Sequence, residues 1–489
     1  MIEDSVKGAL LVLACTGLMV WLVKRRWISA GSISMISPLT VFTAGVAGRY
    51  GLGSLLISLM PERYVLKGEL DQYRVSWQYG GEASWIWIIY ILGFSLVVVA
   101  LELGYSWYSR KKGIKRRFSF SLAIKNNRVP KDYVLERRFK WASLMLLLFF
   151  CIGSISSAWT GSLDRGAGYS FWAGQVFRPE AVFIALARLK QVAYIIVPYL
   201  VLKSNGFLRT CVIAMSAAPI VLEIVSGGRG AVLYPVVMIL IGIILTGWRN
   251  KRVIAGMATA AVIVFLSVPY LAAYRDSDVI RKVGHRDFVG RLGGLVSSVS
   301  PVRMIYRSQS LGREVYACSD AFLFVDKNLS ERDVGFSDLN IHTLKKILYP
   351  RWLSDNKGFK KYDGSSIAQR LIGVEIDGWF PCLTTPADLL RRGGESSVFI
   401  GGVVIGIVLT ALEWIWIYIG KRSRDVASRL IVLLPASYIQ LGIHGTVQES
   451  IWQLAWDLPK YCLICYAISL AVIISERCIN LITMFVGRR

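Results

Sequence analysis

The chain has 489 residues, 54% of them hydrophobic, and 44 glycines come on top of that share. Soluble domains hold about 45–50% apolar residues with glycine included, so a mean hydropathy of +0.49 excludes an ordinary soluble globule. Formal net charge is +25, from 57 Lys and Arg against 32 Asp and Glu. Nucleic-acid binders and membrane proteins with basic cytoplasmic loops share that imbalance, so the placement of the charges decides between them.

In chain order, apolar runs punctuated by charge clusters predict about eleven spans, each near the ~17–25 residues that cross a bilayer. They cover residues 7–23, 35–60, 84–104, 141–159, 181–202, 208–225, 231–247, 253–271, 397–420, 428–445 and 458–475. The first run follows an acidic start (Glu3, Asp4) and ends in Lys24, Arg25 and Arg26, the reverse of a secretory signal. Alternate connections carry the basic clusters: Lys24–Arg26, the stretch 110–140, Lys203 with Arg209, Arg249 to Arg252, Lys421 to Arg424, and Arg488 with Arg489. These hold roughly 26 Lys and Arg against about seven in the intervening short loops, which places them in the cytoplasm. The basic patches thus act as topology determinants facing membrane lipid, and no nucleic-acid partner is expected, since the 110–140 stretch has no recognition motif.

The fold class expected is therefore an all-α polytopic membrane protein, N-terminus outside and C-terminus inside. Residues 1–272 form a bundle of about eight spans with a basic cytoplasmic loop near 105–140. Residues 273–395 form one large extracytoplasmic segment, and 396–489 about three further spans. The 273–395 segment carries 19 Lys and Arg and 15 Asp and Glu; its length and balanced charge predict an ordered cap rather than a structureless loop. No internal repeat marks the inverted halves common in secondary transporters.

Between the sixth and seventh spans the chain reads Glu223-Ile-Val-Ser226-Gly227-Gly228-Arg229-Gly230. Glycines allow a tight turn and expose consecutive N–H groups that favour an anion, and Arg229 adds a fork of donors matched to phosphate. A plain hairpin with a snorkelling Arg is the alternative. Arg188 and Lys190 lie inside the fifth expected span and Arg49 in the middle of the second. Ionisable groups at membrane depth are costly and tend to face a cavity, a partner or a charged ligand. Tyr274-Arg275-Asp276-Ser277-Asp278 opens the outer segment. Its Asp-x-Asp pair has the form of a metal site, but similar acidic pairs recur at Glu69/Asp71, Glu331/Asp333 and Glu375/Asp377, and no cluster supplies the remaining oxygen ligands. His285, His342 and His444 lack metal-ligand spacing. No metal or other cofactor is expected. Further on, Tyr349-Pro350-Arg351-Trp352-Leu353 precedes Lys357 and Gly358, placing an aromatic beside charge at a Pro-fixed turn. Thr384-Thr385-Pro386-Ala387-Asp388 and Arg391-Arg392-Gly393-Gly394-Glu395 then lead into the ninth span.

Taken together, the Ser226–Gly230 turn, Tyr274-Arg275-Asp276 and the Tyr349–Lys357 segment resemble the Wzy-type O-antigen and oligosaccharide repeat-unit polymerases, over roughly residues 223–402. Gly228 stands where that family usually has Ser, Trp352-Leu353-Ser354 replaces Leu-Trp-Pro, and Gly358 replaces a Pro. The resemblance implies an inverting, metal-independent transfer on the periplasmic side of the inner membrane. The donor is a glycan on undecaprenyl pyrophosphate, the acceptor another lipid-linked repeat unit, and a chain-length regulator a candidate partner. Such chemistry needs cations for the leaving pyrophosphate and a base for the acceptor hydroxyl. Arg229, Arg275 and Arg351, with Arg188 in reserve, are the cations expected, with Gly228, Gly230 and Trp352 beside them. Asp276, then His342 and Glu395, are the candidate bases. An O-antigen ligase uses the same donor; a lipid-linked oligosaccharide flippase is the rival from another class, and a non-catalytic scaffold a third. Cys318 and Cys382 are the two cysteines of the outer segment, in a compartment that permits a disulfide. The topology is tested by cysteine labelling from outside the cell: a Cys at Lys327 should react and one at Lys115 should not, and the opposite pattern reverses the orientation.

Overall fold

The computed structural model describes residues 36–48, 70–111, 130–159, 189–226, 233–247, 287–297, 335–336, 383–421, 425–435, 442–443 and 446–486. It also describes residues 6, 10, 12–14, 17, 186–187, 255–256, 258–260, 262, 267, 269–271, 274 and 283. All regular structure among them is helical: α1 (Pro38–Val46), α2 (Leu70–Lys111), α3 (Pro130–Trp159), α4 (Lys190–Lys203), α5 (Gly206–Val225), α6 (Leu233–Leu245) and α7 (Phe288–Ser297), then α8 (Thr385–Lys421), α9 (Val426–Ile431), α10 (Val447–Trp452), a π-helical turn Gln453–Asp457, and α11 (Leu458–Val486).

Among the described residues, five stretches are long and apolar enough to cross a membrane: Glu82–Leu101, Tyr133–Trp159, Gly206–Val225, Thr385–Gly420 and Val447–Asn480. Their outward residues are themselves apolar and recur at helical spacing, as in Leu148, Ile152, Ile155 and Trp159 of α3, or Leu463, Tyr466, Leu470 and Ile474 of α11. Apolar exteriors on helices that also bury an apolar face are what hydrocarbon surroundings favour.

Boundaries differ from the hydropathy reading in several places: α2, to Lys111, and α3, from Pro130, run past the expected spans 84–104 and 141–159 into the 105–140 stretch expected as a loop. The ninth span, expected from 397, follows a separate helical stretch that begins at Thr385 and breaks at Gly393 and Gly394; Thr384 Oγ1 accepts from Ala387 N at 3.2 Å and caps that polar first turn, which hydropathy does not register. The tenth, expected over 428–445, is not one helix: α9 ends at Ile431, and Pro435 and Gly442, with φ of 68° at Gly442, belong to non-α-helical backbone. The eleventh begins earlier than 458, since Thr446 and Glu449 form a reciprocal capping box at the start of α10 and the helical path runs on through the π turn. The expected spans 7–23 and 253–271 lie largely outside the described residues, as do the latter part of 35–60, residues 112–129 of the 105–140 stretch, and most of 273–395.

Helices α2 and α8 run parallel and pack backbone to backbone. A Cβ on Gly93 would collide with the Phe399 carbonyl, one on Gly402 with the Tyr90 carbonyl, and one on Gly406 would lie 3.1 Å from the Phe94 carbonyl. Gly402 and Gly406 form a G-x-x-x-G pair, which lets backbones approach where side chains would hold them apart. Beside the seam, Phe42 of α1 meets Phe94 at a ring separation of 4.6 Å, and Trp87 meets Tyr90 edge-on at 5.8 Å. The Tyr90 hydroxyl donates to Gly442 O at 2.9 Å. Glu413, buried on α8, accepts from Leu39 N at 3.2 Å in the first turn of α1, where a helix start favours negative charge.

A second core joins α3, α4, α5, α6, α9, α11 and the far end of α8. The α4 and α6 backbones meet at Gly242, where a Cβ would collide with the Ile195 carbonyl. At one end of this bundle Glu136 pairs with Lys203, and Arg137 and Arg138 both reach Glu476. Lys140 Nζ and Arg209 Nε donate to Lys203 O and Ser204 O, at 2.7 and 2.9 Å, satisfying carbonyls at the C-terminus of α4.

Substituting Gly402→Leu should force α2 and α8 apart and lower stability by about 1–3 kcal/mol or more. Gly104→Ala, with open space around its Cβ position, should be neutral or stabilising by up to about 1 kcal/mol. Thermal unfolding of both variants in one detergent measures the contrast; equal losses would mean the seam is not tightly packed.

Candidate functional site

Helix direction gathers the polar centres at one end of the bundle. Trp416 Nε1 donates to Val432 O at 2.8 Å, and the Arg429 guanidinium lies 5.7 Å from the Phe139 ring centroid, so the C-terminal end of α8 meets the Glu136–Lys203 end. From Gly394 to Trp416 a helix rises about 33 Å. The start of α8 therefore lies at the opposite end, together with the start of α4 and the end of α5.

At that end Lys190 Nζ bonds Glu223 Oε1 at 3.2 Å and lies 5.9 Å from the Tyr234 ring centroid, tying α4, α5 and α6 together. Tyr274 is fully buried, with its hydroxyl 3.1 Å from Val225 O and 3.0 Å from Arg291 O, so one proton serves two carbonyls. Arg291, also buried, donates from Nε and Nη2 to Val283 O at 3.2 and 3.0 Å. Asp287 Oδ1 accepts from Gly290 N at 2.8 Å and opens α7, which carries Arg291 on its first turn. Val225 is the last residue of α5 and Ser226 its cap, immediately before Gly227 and Gly228 in the sequence. Two segments about fifty residues apart in sequence are thus joined by one phenol.

The second polar centre is built on the first turns of α8. Asp388 is fully buried and accepts from Arg391 Nε (2.7 Å) on one oxygen and from Arg392 Nε (3.0 Å) and Val447 N (2.9 Å) on the other. Spacings of three and four residues put both arginines on the face of their carboxylate. Arg392 also donates to Gly335 O at 3.2 Å and Gln448 Oε1 at 3.3 Å, with the Phe336 ring centroid 5.9 Å from its guanidinium carbon. Thr385 N donates to Ile443 O at 3.2 Å. Residues from two distant stretches, 335–336 and 443–448, therefore close on the segment that carries this carboxylate and its arginines. Immediately afterwards Gly393 and Gly394 break the helix, Gly394 with φ of 68°. Only glycine adopts that conformation without strain.

Of the residues expected to carry chemistry, Arg188, Gly228, Arg229, Gly230, Arg275, Asp276, His342, Arg351 and Trp352 lie outside the described residues, as do Cys318 and Cys382. Glu395 is described: it is exposed on α8, one residue past the glycine break. Lys190, Glu223, Val225 and Tyr274 are the described neighbours of Arg188, Arg229 and Arg275 in the chain, and they are brought to the same end of the bundle. The Asp388–Arg391–Arg392 arrangement had no role in the sequence reading. Its signal was present in the D-x-x-R-R spacing, but the partners Gln448, Val447 and Gly335 are distant in sequence. Among the described residues, no three His, Cys, Asp or Glu side chains are grouped to hold a metal ion. No family model matches the chain, and no curated protein or solved structure matches it.

The two centres should respond differently to loss of charge. Asp388→Asn leaves two buried guanidiniums without their counter-ion and should cost about 3–5 kcal/mol. Glu223→Gln breaks a partly hydrated pair and should cost about 0–1 kcal/mol. Thermal unfolding at matched detergent concentration reads both; a silent Asp388→Asn would remove Asp388 as the keystone of the α8 start.

Proposed function

We propose that this chain polymerises undecaprenyl-pyrophosphate-linked oligosaccharide repeat units at the periplasmic face of the bacterial inner membrane, as part of O-antigen or exopolysaccharide synthesis. The observation that carries the reading is the Tyr274 hydroxyl between Val225 and Arg291, because it ties the stretch leading to Arg229 to the residue before Arg275. The Lys190–Glu223 pair adds the neighbourhood of Arg188. Positive-inside bias assigns the Glu136–Lys203 end, rich in Lys and Arg, to the cytoplasm and the opposite end to the periplasm. The parallel run of α2 and α8, and the antiparallel run of α3 against α4 and α11, suit that assignment.

In the proposed reaction the acceptor hydroxyl oxygen attacks the anomeric carbon of the donor sugar from the side opposite the leaving group. The bond from that carbon to the pyrophosphate oxygen breaks with inversion, and the hydroxyl proton passes to a base, Asp276 first, then His342 or Glu395. Negative charge grows on the leaving pyrophosphate, where Arg229, Arg275 and Arg351, with Arg188, supply paired donors. Gly228 and Gly230 allow close approach of backbone to the anion, and Trp352 offers a face for a sugar ring. Neither a metal ion nor another cofactor is required, because the leaving group carries its own activation.

Complementation of a polymerase-deficient strain, scored by glycan ladders, tests the reading. Arg229→Lys, Arg275→Lys and Arg351→Lys keep the charge and lose the fork; each should reduce polymerisation by about 10²–10³, equivalent to ~2.7–4 kcal/mol of lost transition-state stabilisation. Normal ladders from all three at wild-type protein levels would refute it.

A further inference from the structure

Two hydrogen bonds fix the level and the direction of α7. The Tyr274 hydroxyl joins Arg291 O to Val225 O, the last residue of a helix long enough to span a membrane, so Arg291 lies at a membrane boundary. The Tyr270 hydroxyl donates to Leu295 O. Residues 269–271 and 274 are helical, and Tyr270 precedes Tyr274 by one turn at the end of the apolar run 253–271, so its level lies toward the bilayer centre. Since 274 faces 291 and 270 faces 295, α7 runs antiparallel to the stretch before it. Leu295 is therefore about 6 Å, one helical turn, deeper than Arg291.

The faces of α7 agree with that placement. The helix is apolar and ten residues long; it rises about 15 Å, half of a hydrocarbon core of about 30 Å, a length that suits a re-entrant segment. Val289, Leu292 and Val296 share one face and are 82%, 49% and 77% exposed, while Arg291 and Gly294 on the other side are buried. α7 also packs against α5, whose own outward surface is apolar, with Val221 exposed one turn before Val225. The single charge of α7 is turned inward, where Arg291 directs Nε and Nη2 to Val283 O. Charge at membrane depth is tolerated when it faces protein and backbone carbonyls. The sequence between Tyr274 and Phe288, by contrast, carries Arg275, Asp276, Asp278, Arg281, Lys282 and Arg286.

We propose that α7 is a re-entrant helix: it runs from the membrane boundary back toward the bilayer centre, and the face formed by Val289, Leu292 and Val296 docks on the acyl chains of membrane lipid. That face continues the lipid-facing surface of α5, and the tyrosine bonds hold it at acyl-chain depth. Residues 288–297 are thereby taken out of the water-exposed segment in which hydropathy and charge place them. The inference goes beyond the proposed function and holds whether or not the chain is a polymerase.

Full-length protein in phosphatidylcholine nanodiscs provides the test. The photoreactive amino acid p-benzoylphenylalanine replaces Val296, or Ile213 on the outward side of α5 as the reference, and intact mass is measured after irradiation. Position 296 should gain the mass of one phosphatidylcholine, in a yield comparable to position 213. No lipid adduct at 296 while 213 reacts, or a crosslinked dimer in its place, overturns the proposal. Should the protein with the replacement at 296 fail to fold, Leu292 takes its place under the same criteria. Depth is read separately by thermal unfolding of Val289→Asn and Val296→Asn in the same nanodiscs. An amide in hydrocarbon is costly and one at the boundary is not, so Val296→Asn should lower the midpoint by a few degrees and Val289→Asn by clearly less. In water both positions are exposed and both changes should be silent. Lipid adducts without that contrast place α7 flat on the membrane surface and overturn the re-entrant path.

Discussion

The backbone contact between α2 and α8 is the constraint on which the rest of this molecule depends. Hydrocarbon supplies no hydrophobic force to drive one apolar helix onto another, so association rests on close packing and hydrogen bonds. Gly93, Gly402 and Gly406 provide that packing, because each leaves room for a carbonyl of the facing helix. The seam fixes the two long helices side by side and parallel. Phe42, Trp87, Tyr90 and Phe94 fill its flank, and Tyr90 carries the contact on to Gly442. From there Ile443 O reaches Thr385 N, so the geometry of the seam is transmitted to the start of α8, where Asp388 and its arginines lie.

Charge is distributed along the bundle according to the cost of removing it from water. At the Glu136–Lys203 end, ion pairs are partly hydrated, and the basic side chains also satisfy helix C-terminal carbonyls. Such pairs contribute little individually, but they gather basic side chains at one end of the bundle. At the other end, Asp388, Arg391 and Arg392 are withdrawn from solvent almost completely. Burial of that kind is seldom favourable for stability alone. Arg291 and Tyr274 have a different role: they direct their donors to backbone carbonyls and so fasten Tyr274 and the start of α7 onto the end of α5.

Much of the architecture was legible in the sequence, and the reason is physical. Hydropathy and length locate apolar helices because a backbone in hydrocarbon must satisfy its own hydrogen bonds, and the five long helices fall where apolar runs do. The failures also have causes. The polar turn Thr385–Arg392 is helical through Thr384 capping and charge pairing within the helix, neither of which raises hydropathy. The run 428–445 is apolar enough to be read as a span, yet Pro435 and Gly442 belong to a path that hydropathy does not distinguish from a helix.

The sequence by itself determined that this protein is helical and suited to a bilayer, which segments are basic, and that glycines cluster in α8. Those properties are local: each residue contributes its own transfer energy or φ preference. Only the tertiary structure decided that Gly402 faces Tyr90, that Tyr274 bridges Val225 and Arg291, and that Asp388 gathers Arg391, Arg392 and Val447. Each of those pairs groups that must leave water together, and the identity of a partner fifty or several hundred residues away is set by how helices pack, which no local pattern encodes.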